Sequence, residues 1–188
     1  MVESCRGVLA TARGRRASGR ILALDLALRN VGVVILTEDG HPLRCLTISH
    51  PLGRARVPGE DETLRVEADR VERLINVANE VIGYGRDFRV SHIAIEGFAF
   101  DKPFQAHQLG EIAGVVKTQC WLALHVVPAV VSPSSARKYL FGHGRPTKDQ
   151  IVEVVRDHIG VPVQNDHEAD AYVVGRWMFG QVAKEVLP

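Results

Sequence analysis

Asp25, Glu96, His167 and Asp170 are far apart in the chain, but their types and settings fit a single piece of chemistry. Asp25 ends the aliphatic run Ile21-Leu22-Ala23-Leu24. Glu96 ends the run from Ser91 to Ile95, with Gly97 after it. Each is a carboxylate carried out of a buried strand. A single acid there needs no chemistry, because strands end at the surface. His167 and Asp170 are three residues apart, so on a helix they share a face. That helix opens after Pro162, with Asn165 or Asp166 as its N-cap. Asp166 and Glu168 fit the first-turn preference for acids, which complement the helix dipole, and Glu168 lies to one side. Asp170 is deeper, between Ala169 and Ala171, where the dipole gives no reason for an acid. Acidic ligands crowded together repel one another unless a cation sits among them. Oxygen ligands favour Mg²⁺, with Mn²⁺ as substitute, and one His without Cys speaks against zinc. Two such ions about 4 Å apart can activate a water and stabilise a leaving oxygen, so the predicted chemistry is metal-assisted phosphodiester hydrolysis.

These side chains must be brought together by the elements that carry them. The runs 21–25 and 33–36, joined by the polar stretch around Arg29-Asn30, read as a β-hairpin. A third strand follows over Leu43–Ile48 after the turn at Asp39-Gly40. The Pro-, Gly- and Arg-rich stretch from Pro51 to Glu60 reads as a loop. Helical spacing of Leu64, Val71, Leu74, Ile75, Ala78 and Ile82 predicts a helix over Asp61–Ile82, capped by Asp61 or Thr63. The Glu96 strand comes next, then a helix from about Phe104 to Leu124 and a strand over His125–Val131. Short helices over Pro133–Leu140 and Thr147–Ile159 precede the last helix. Three early strands followed by strands alternating with helices imply a mixed sheet with helices on its faces. The first strand is expected at its centre beside the Glu96 strand, with a helix across the same end delivering His167 and Asp170.

Composition sets looser bounds. A chain of 188 residues, 46% hydrophobic, can bury one ordinary core, and neither an internal repeat nor a second folded domain is expected. Arg6, Arg13, Arg15, Arg16 and Arg20 make residues 1–19 read as a flexible basic arm before a domain over 20–188. The arm either touches phosphates or is a solvated tail. It lacks the apolar stretch of a secretory signal, and no run is long enough to span a membrane. Cys5, Cys45 and Cys120 have no paired spacing, which fits a reducing, cytoplasmic setting. A net charge of +1 can hide a basic face beside an acidic centre, so it neither requires nor excludes nucleic acid.

Leu24-Asp25 with Gly32 downstream, Ile95-Glu96 and His167-Glu168-Ala169-Asp170-Ala171 resemble the RuvC-type Holliday-junction resolvases of the ribonuclease H-like superfamily, over roughly Arg20 to Gly180. The resemblance implies a mixed five-stranded α/β sheet, three antiparallel strands then parallel ones, with helices on both faces. It also implies a homodimer that cuts branched, four-way DNA with two metal ions per site. Many members have Asp where this chain has His167, so His167 would ligate the metal, orient the water or act as general base. The stretch from Phe98 to Phe104 looks like the family's aromatic-and-Lys loop, which leads into a helix that can serve dimerisation. Phe98 or Phe100 would be the ring that wedges into bases, with Lys102 on DNA, unless both rings pack in the core. The segment from Arg137 to Gln150 resembles the family's basic loop. Arg137, Lys138, Arg145 and Lys148 would meet DNA, and Lys148 would approach the scissile phosphate as part of the catalytic set. A lysine at a helix start opposes the dipole preference, which favours a phosphate partner. The turn after Asp25 is closer to phage-type relatives.

Two other readings share this pattern. A ribonuclease H-like or ribosomal-RNA-processing nuclease would use the same metal chemistry but read 2′-hydroxyls. A silent nucleic-acid-binding module is disfavoured by the intact acid set.

Overall fold

The computed structural model describes residues 1, 3, 5–7, 15–50, 61–97 and 103–185. The predicted loop at 51–60 and the residues Phe98, Phe100 and Lys102 lie outside them. In chain order the elements are β1 (Arg15–Arg16), β2 (Arg20–Asp25), β3 (Asn30–Leu36), β4 (Pro42–Ser49), α1 (Glu62–Asp87), β5 (Val90–Glu96), α2 (Pro103–Leu124), β6 (Ala129–Val131), α3 (Pro133–Phe141), α4 (Lys148–Glu153), α5 (Asp166–Val182) and β7 (Lys184–Glu185). A π-helical turn over Val154–His158 continues α4. Five strands form one sheet in the order β4-β3-β2-β5-β6, so β2 is central. β2, β3 and β4 are antiparallel, whereas β5 and β6 run parallel to β2. β1 and β7 pair separately.

Alternation along the strands determines where the acids emerge. Leu22, Leu24, Val33, Ile35, Ile93 and Ile95 face α1 and α2, packing with Val77, Val81, Ile112 and Val116. Ile21, Ala23, Val34, Leu36 and Ala94 face the opposite side, against Tyr172, Val174 and Phe179 of α5 and Leu140 and Phe141 of α3. Side chains two residues apart share a face. Asp25, two after Ala23, and Glu96, two after Ala94, therefore leave the sheet on the side that α5 covers. The parallel register pairs Leu24 with Ile95, which makes the two acids neighbours.

The close approach of α5 depends on small residues beneath it. Gly32 pairs with Asp25 across β2 and β3. A Cβ at Gly32 would stand 2.0 Å from the backbone oxygen of His167 and 2.3 Å from its carbonyl carbon. Further along, a Cβ at Gly175 would meet Ala23 Cβ and Leu36 Cδ1, each at 3.1 Å. The first turn of α5 is thus seated on bare backbone of the strand beside Asp25.

Caps explain most element starts. Asp61 accepts from Thr63 N at 2.9 Å and Leu64 N at 3.1 Å, Thr147 and Gln150 form a capping box, and Asn165 accepts from Glu168 N at 3.0 Å. β3 starts at Asn30, inside the stretch read as the hairpin connection, and three further boundaries differ from the sequence reading. α1 runs to Asp87 instead of stopping at Ile82, because Gly85 packs against Leu124 of α2 and tertiary contact outweighs glycine's low helix propensity. The strand expected over His125–Val131 is only Ala129–Val131. His125 turns the chain at φ 56°, and Pro128 has no N–H to give a sheet ladder. The helix expected over 147–159 widens into the π turn, with Ile159 N donating to Val154 O at 2.9 Å, and adjacent Val154 and Val155 are both buried.

Gly32→Ala is expected to cost about 2 kcal/mol or more, since backbone cannot yield as a side-chain tip does. Gly110→Ala in α2, where a Cβ meets nothing within 4 Å, is expected to gain up to about 1 kcal/mol. Denaturant titration of both variants checks this, and an equal response at the two sites would count against the seating of α5 on Gly32.

Candidate metal centre

Carboxylate oxygens of Asp25, Glu96 and Asp170 lie within 4.8 Å of one another. Their side chains are 13, 11 and 5% exposed, so water shields the charges poorly. β2 supplies the first, β5 the second and the second turn of α5 the third. Burial, followed by the charges of Asp25 and Asp170, pushes the Glu96 carboxyl well above the ordinary glutamate range. Burial likewise raises Asp170, partly offset by Arg137. Three oxygen donors that resist joint ionisation match what a hard divalent cation relieves, so the residues fit Mg²⁺ or Mn²⁺.

Two cations and an imidazole border the acids. His167 Nδ1 is 2.7 Å from Asp25 Oδ2. A carboxylate only accepts, so Nδ1–H donates and Nε2 keeps its lone pair in the neutral ring. The hydrogen bond to Asp25 raises the imidazole pKa against the effect of burial. His167 thus stands beside the three-carboxylate group and touches it through Asp25. Arg137, on α3, reaches Asp170 Oδ1 at 3.1 Å and Glu96 Oε1 at 3.7 Å. Lys148, first residue of α4, donates to Asp166 and is raised chiefly by that bond, with smaller contributions from Asp170 and Asp25. Lys138 and Arg145 are exposed.

Glu168 has a role that its first-turn position did not reveal. It is 2% exposed. Its Oε1 accepts from Thr47 Oγ1 at 2.8 Å and from Asn165 Nδ2 at 3.4 Å, and its Oε2 accepts from Gln164 N at 2.9 Å. Asn165 Nδ2 also donates to Thr47 Oγ1 at 2.9 Å. The network ties the start of α5 to β4, three strands away from the strand of Glu96. Asn165-x-x-Glu168 has the spacing of a capping box, which was the available signal. The partner on β4 was not readable.

No protein-family model and no curated protein matches the sequence. Solved structures do. RuvC of Thermus thermophilus superposes with a TM-score of 0.64 at 19% identity, covering 89% of this chain and 99% of that one. The same protein in complex with a Holliday junction substrate gives 0.65 at 18% identity, with the same coverage. The yeast mitochondrial Holliday junction resolvase Ydc2 gives 0.58 at 14% identity, covering 94% of this chain and 84% of that one. The fold is RuvC-like. The five-stranded mixed sheet with helices on both faces is therefore of the ribonuclease H-like kind expected from the sequence. Among the described residues, no helix is long and apolar enough to cross a membrane.

The raised carboxyls carry a pH signature. Glu96 is held above its ordinary value of 4.5, so in the range just above that value the native state binds more protons than the unfolded chain. Stability without metal should fall as pH rises from about 5 until the raised value is passed, and then level off. Glu96→Gln should flatten this decline and melt higher than the parent at about pH 8 in chelator. Melting curves from pH 5 to 8 test it, and a parent stability that rises over this range would contradict the crowding of the acids.

Proposed function

We propose that this chain is a metal-dependent, structure-specific endonuclease that resolves four-way DNA junctions by paired phosphodiester hydrolysis. The convergence of Asp25, Glu96 and Asp170 within 4.8 Å at one end of a RuvC-like sheet carries the reading. The similar structures, one a RuvC bound to a Holliday junction substrate and one a Holliday junction resolvase, support the choice of substrate.

In this reading Asp25, Glu96 and Asp170 would hold Mg²⁺, replaceable by Mn²⁺, as two ions. Bound there, the metal would supply Lewis-acid polarisation of the phosphodiester and a more acidic water. His167 uses Nδ1–H on Asp25, which fixes the ring and leaves Nε2 to bind metal or take a proton from the attacking water. Lys148, paired with Asp166 in the free chain, is proposed to meet the scissile phosphate, and the exposed Lys138 and Arg145 to meet DNA. Phe98 or Phe100 is the proposed wedge at the junction centre, with Lys102 on the backbone. Two copies acting together suit the symmetry of a four-way junction. On α1, Leu64, Ala68, Val71 and Ile75 recur at spacings of four, three and four, and all four are exposed, forming an apolar stripe that a second copy would cover.

The test is cleavage in Mg²⁺ of a four-way DNA junction, a linear duplex and an RNA–DNA hybrid. Symmetric nicks in the junction alone are expected, whereas cleavage of the hybrid alone would transfer the chain to a ribonuclease role. Asp25→Asn should lower junction cutting about 10³-fold or more while leaving junction binding nearly unchanged. Parallel loss of binding and cutting would remove Asp25 from the metal site. Val71→Glu should shift the sedimenting species from dimer to monomer and uncouple the two nicks, and a wild-type chain that sediments as monomer would end the dimer assignment.

A further inference from the structure

Arg137 was expected on DNA, yet its guanidinium points into the acids. Nη2 lies 3.1 Å from Asp170 Oδ1 and 3.7 Å from Glu96 Oε1, and the side chain is 20% exposed. The placement is built by the fold. β6 pairs Val131 with Glu96, Ser132 caps α3 immediately afterwards, and Arg137 follows on the helix that starts from the end of the strand beside Glu96. Arg137 Nε is buried and has no hydrogen-bond partner. A guanidinium with one orphaned donor is not at rest in an optimal ion pair, because burying an unpaired N–H costs free energy. Lys148, the other nearby cation, is committed to Asp166, so among the described residues Arg137 is the cation in direct contact with the triad.

We propose that Arg137 is the resident counter-ion of the carboxylate triad and competes with divalent metal for Asp170 and Glu96. This inference rests on the reading of the triad as a metal site. Without metal, the guanidinium offsets the repulsion among three buried acids and keeps them gathered. When metal binds, the same oxygens are claimed by a more compact and more highly charged ion, and the guanidinium must leave. A planar fork of donors released at the rim of the site suits a phosphate oxygen, so its departure couples metal loading to capture of the DNA backbone. Arg137 is thus a positioning residue for the acids in the empty site and a phosphate ligand in the loaded one.

The test is calorimetric titration of Mn²⁺ into the wild-type chain, Arg137→Gln and Arg137→Lys, with no DNA present. Arg137→Gln should bind Mn²⁺ about tenfold more tightly, because removing one positive charge a few ångströms from the ion removes its main competitor. Arg137→Lys should stay near wild type. Melting curves give a second reading: in chelator Arg137→Gln should melt below wild type, and saturating Mn²⁺ should raise its melting temperature by more than it raises that of wild type. Equal or weaker Mn²⁺ binding by Arg137→Gln, in a chain whose wild type binds the ion, would overturn the counter-ion role alone. A wild type that binds no Mn²⁺ would overturn both this role and the metal-site reading beneath it.

Discussion

Three carboxylates cannot be kept within a few ångströms of each other, largely out of water, unless something stiffer than their repulsion holds them. Here the stiffness comes from a sheet with apolar side chains packed on both faces and from a helix pressed against one of them. Asp25 and Glu96 are fixed by parallel strand register, which cannot slip by one residue without turning every buried side chain of β2 to the wrong face. Asp170 is fixed by the depth at which α5 seats, and that depth is set where Gly32 and Gly175 leave room. The electrostatic cost is concentrated at one end of the sheet, and the packing that offsets it is spread through the two cores.

The start of α5 is held from three directions. Beneath it is the bare backbone of β3. To one side, Glu168 and Asn165 engage Thr47 on β4 with every contact inside hydrogen-bonding range. Toward the site, His167 engages Asp25. Buried polar networks of this kind stabilise when satisfied and destabilise when broken, so they specify one orientation of the helix. A ribonuclease H-like sheet carries the acids, but this local harness aims Asp170 and the imidazole at them.

Much of this could be read before any coordinates. The hairpin, the turn at Asp39-Gly40 and the face shared by His167 and Asp170 follow from local periodicity and spacing, which act over a few residues, while the central place of β2 was expected from the order of strands and helices along the chain. The caps at Asp61 and Asn165 were among the options that side-chain chemistry allowed. What was not readable depends on distant partners. Glu168 looked like an ordinary first-turn acid because Thr47, 121 positions away, is what makes it a buried hub. Arg137 lies in a basic run that reads as a DNA surface, and only the pairing of β6 with β5 turns it toward Asp170 and Glu96. The length of α1 was underestimated because glycines that weaken a lone helix are what allow Gly85 to meet Leu124.

The contact between residue 167 and β3 is made by the main chain: it is the carbonyl of His167, not the imidazole, that rests on Gly32. Seat and chemistry are therefore carried by different atoms at this position. The peptide unit rests on Gly32 whatever side chain it bears, while the imidazole adds its own hydrogen bond to Asp25. A carboxylate there would keep the main-chain seat but exchange that bond for a fourth acid beside the other three, a difference in charge and not in backbone fit.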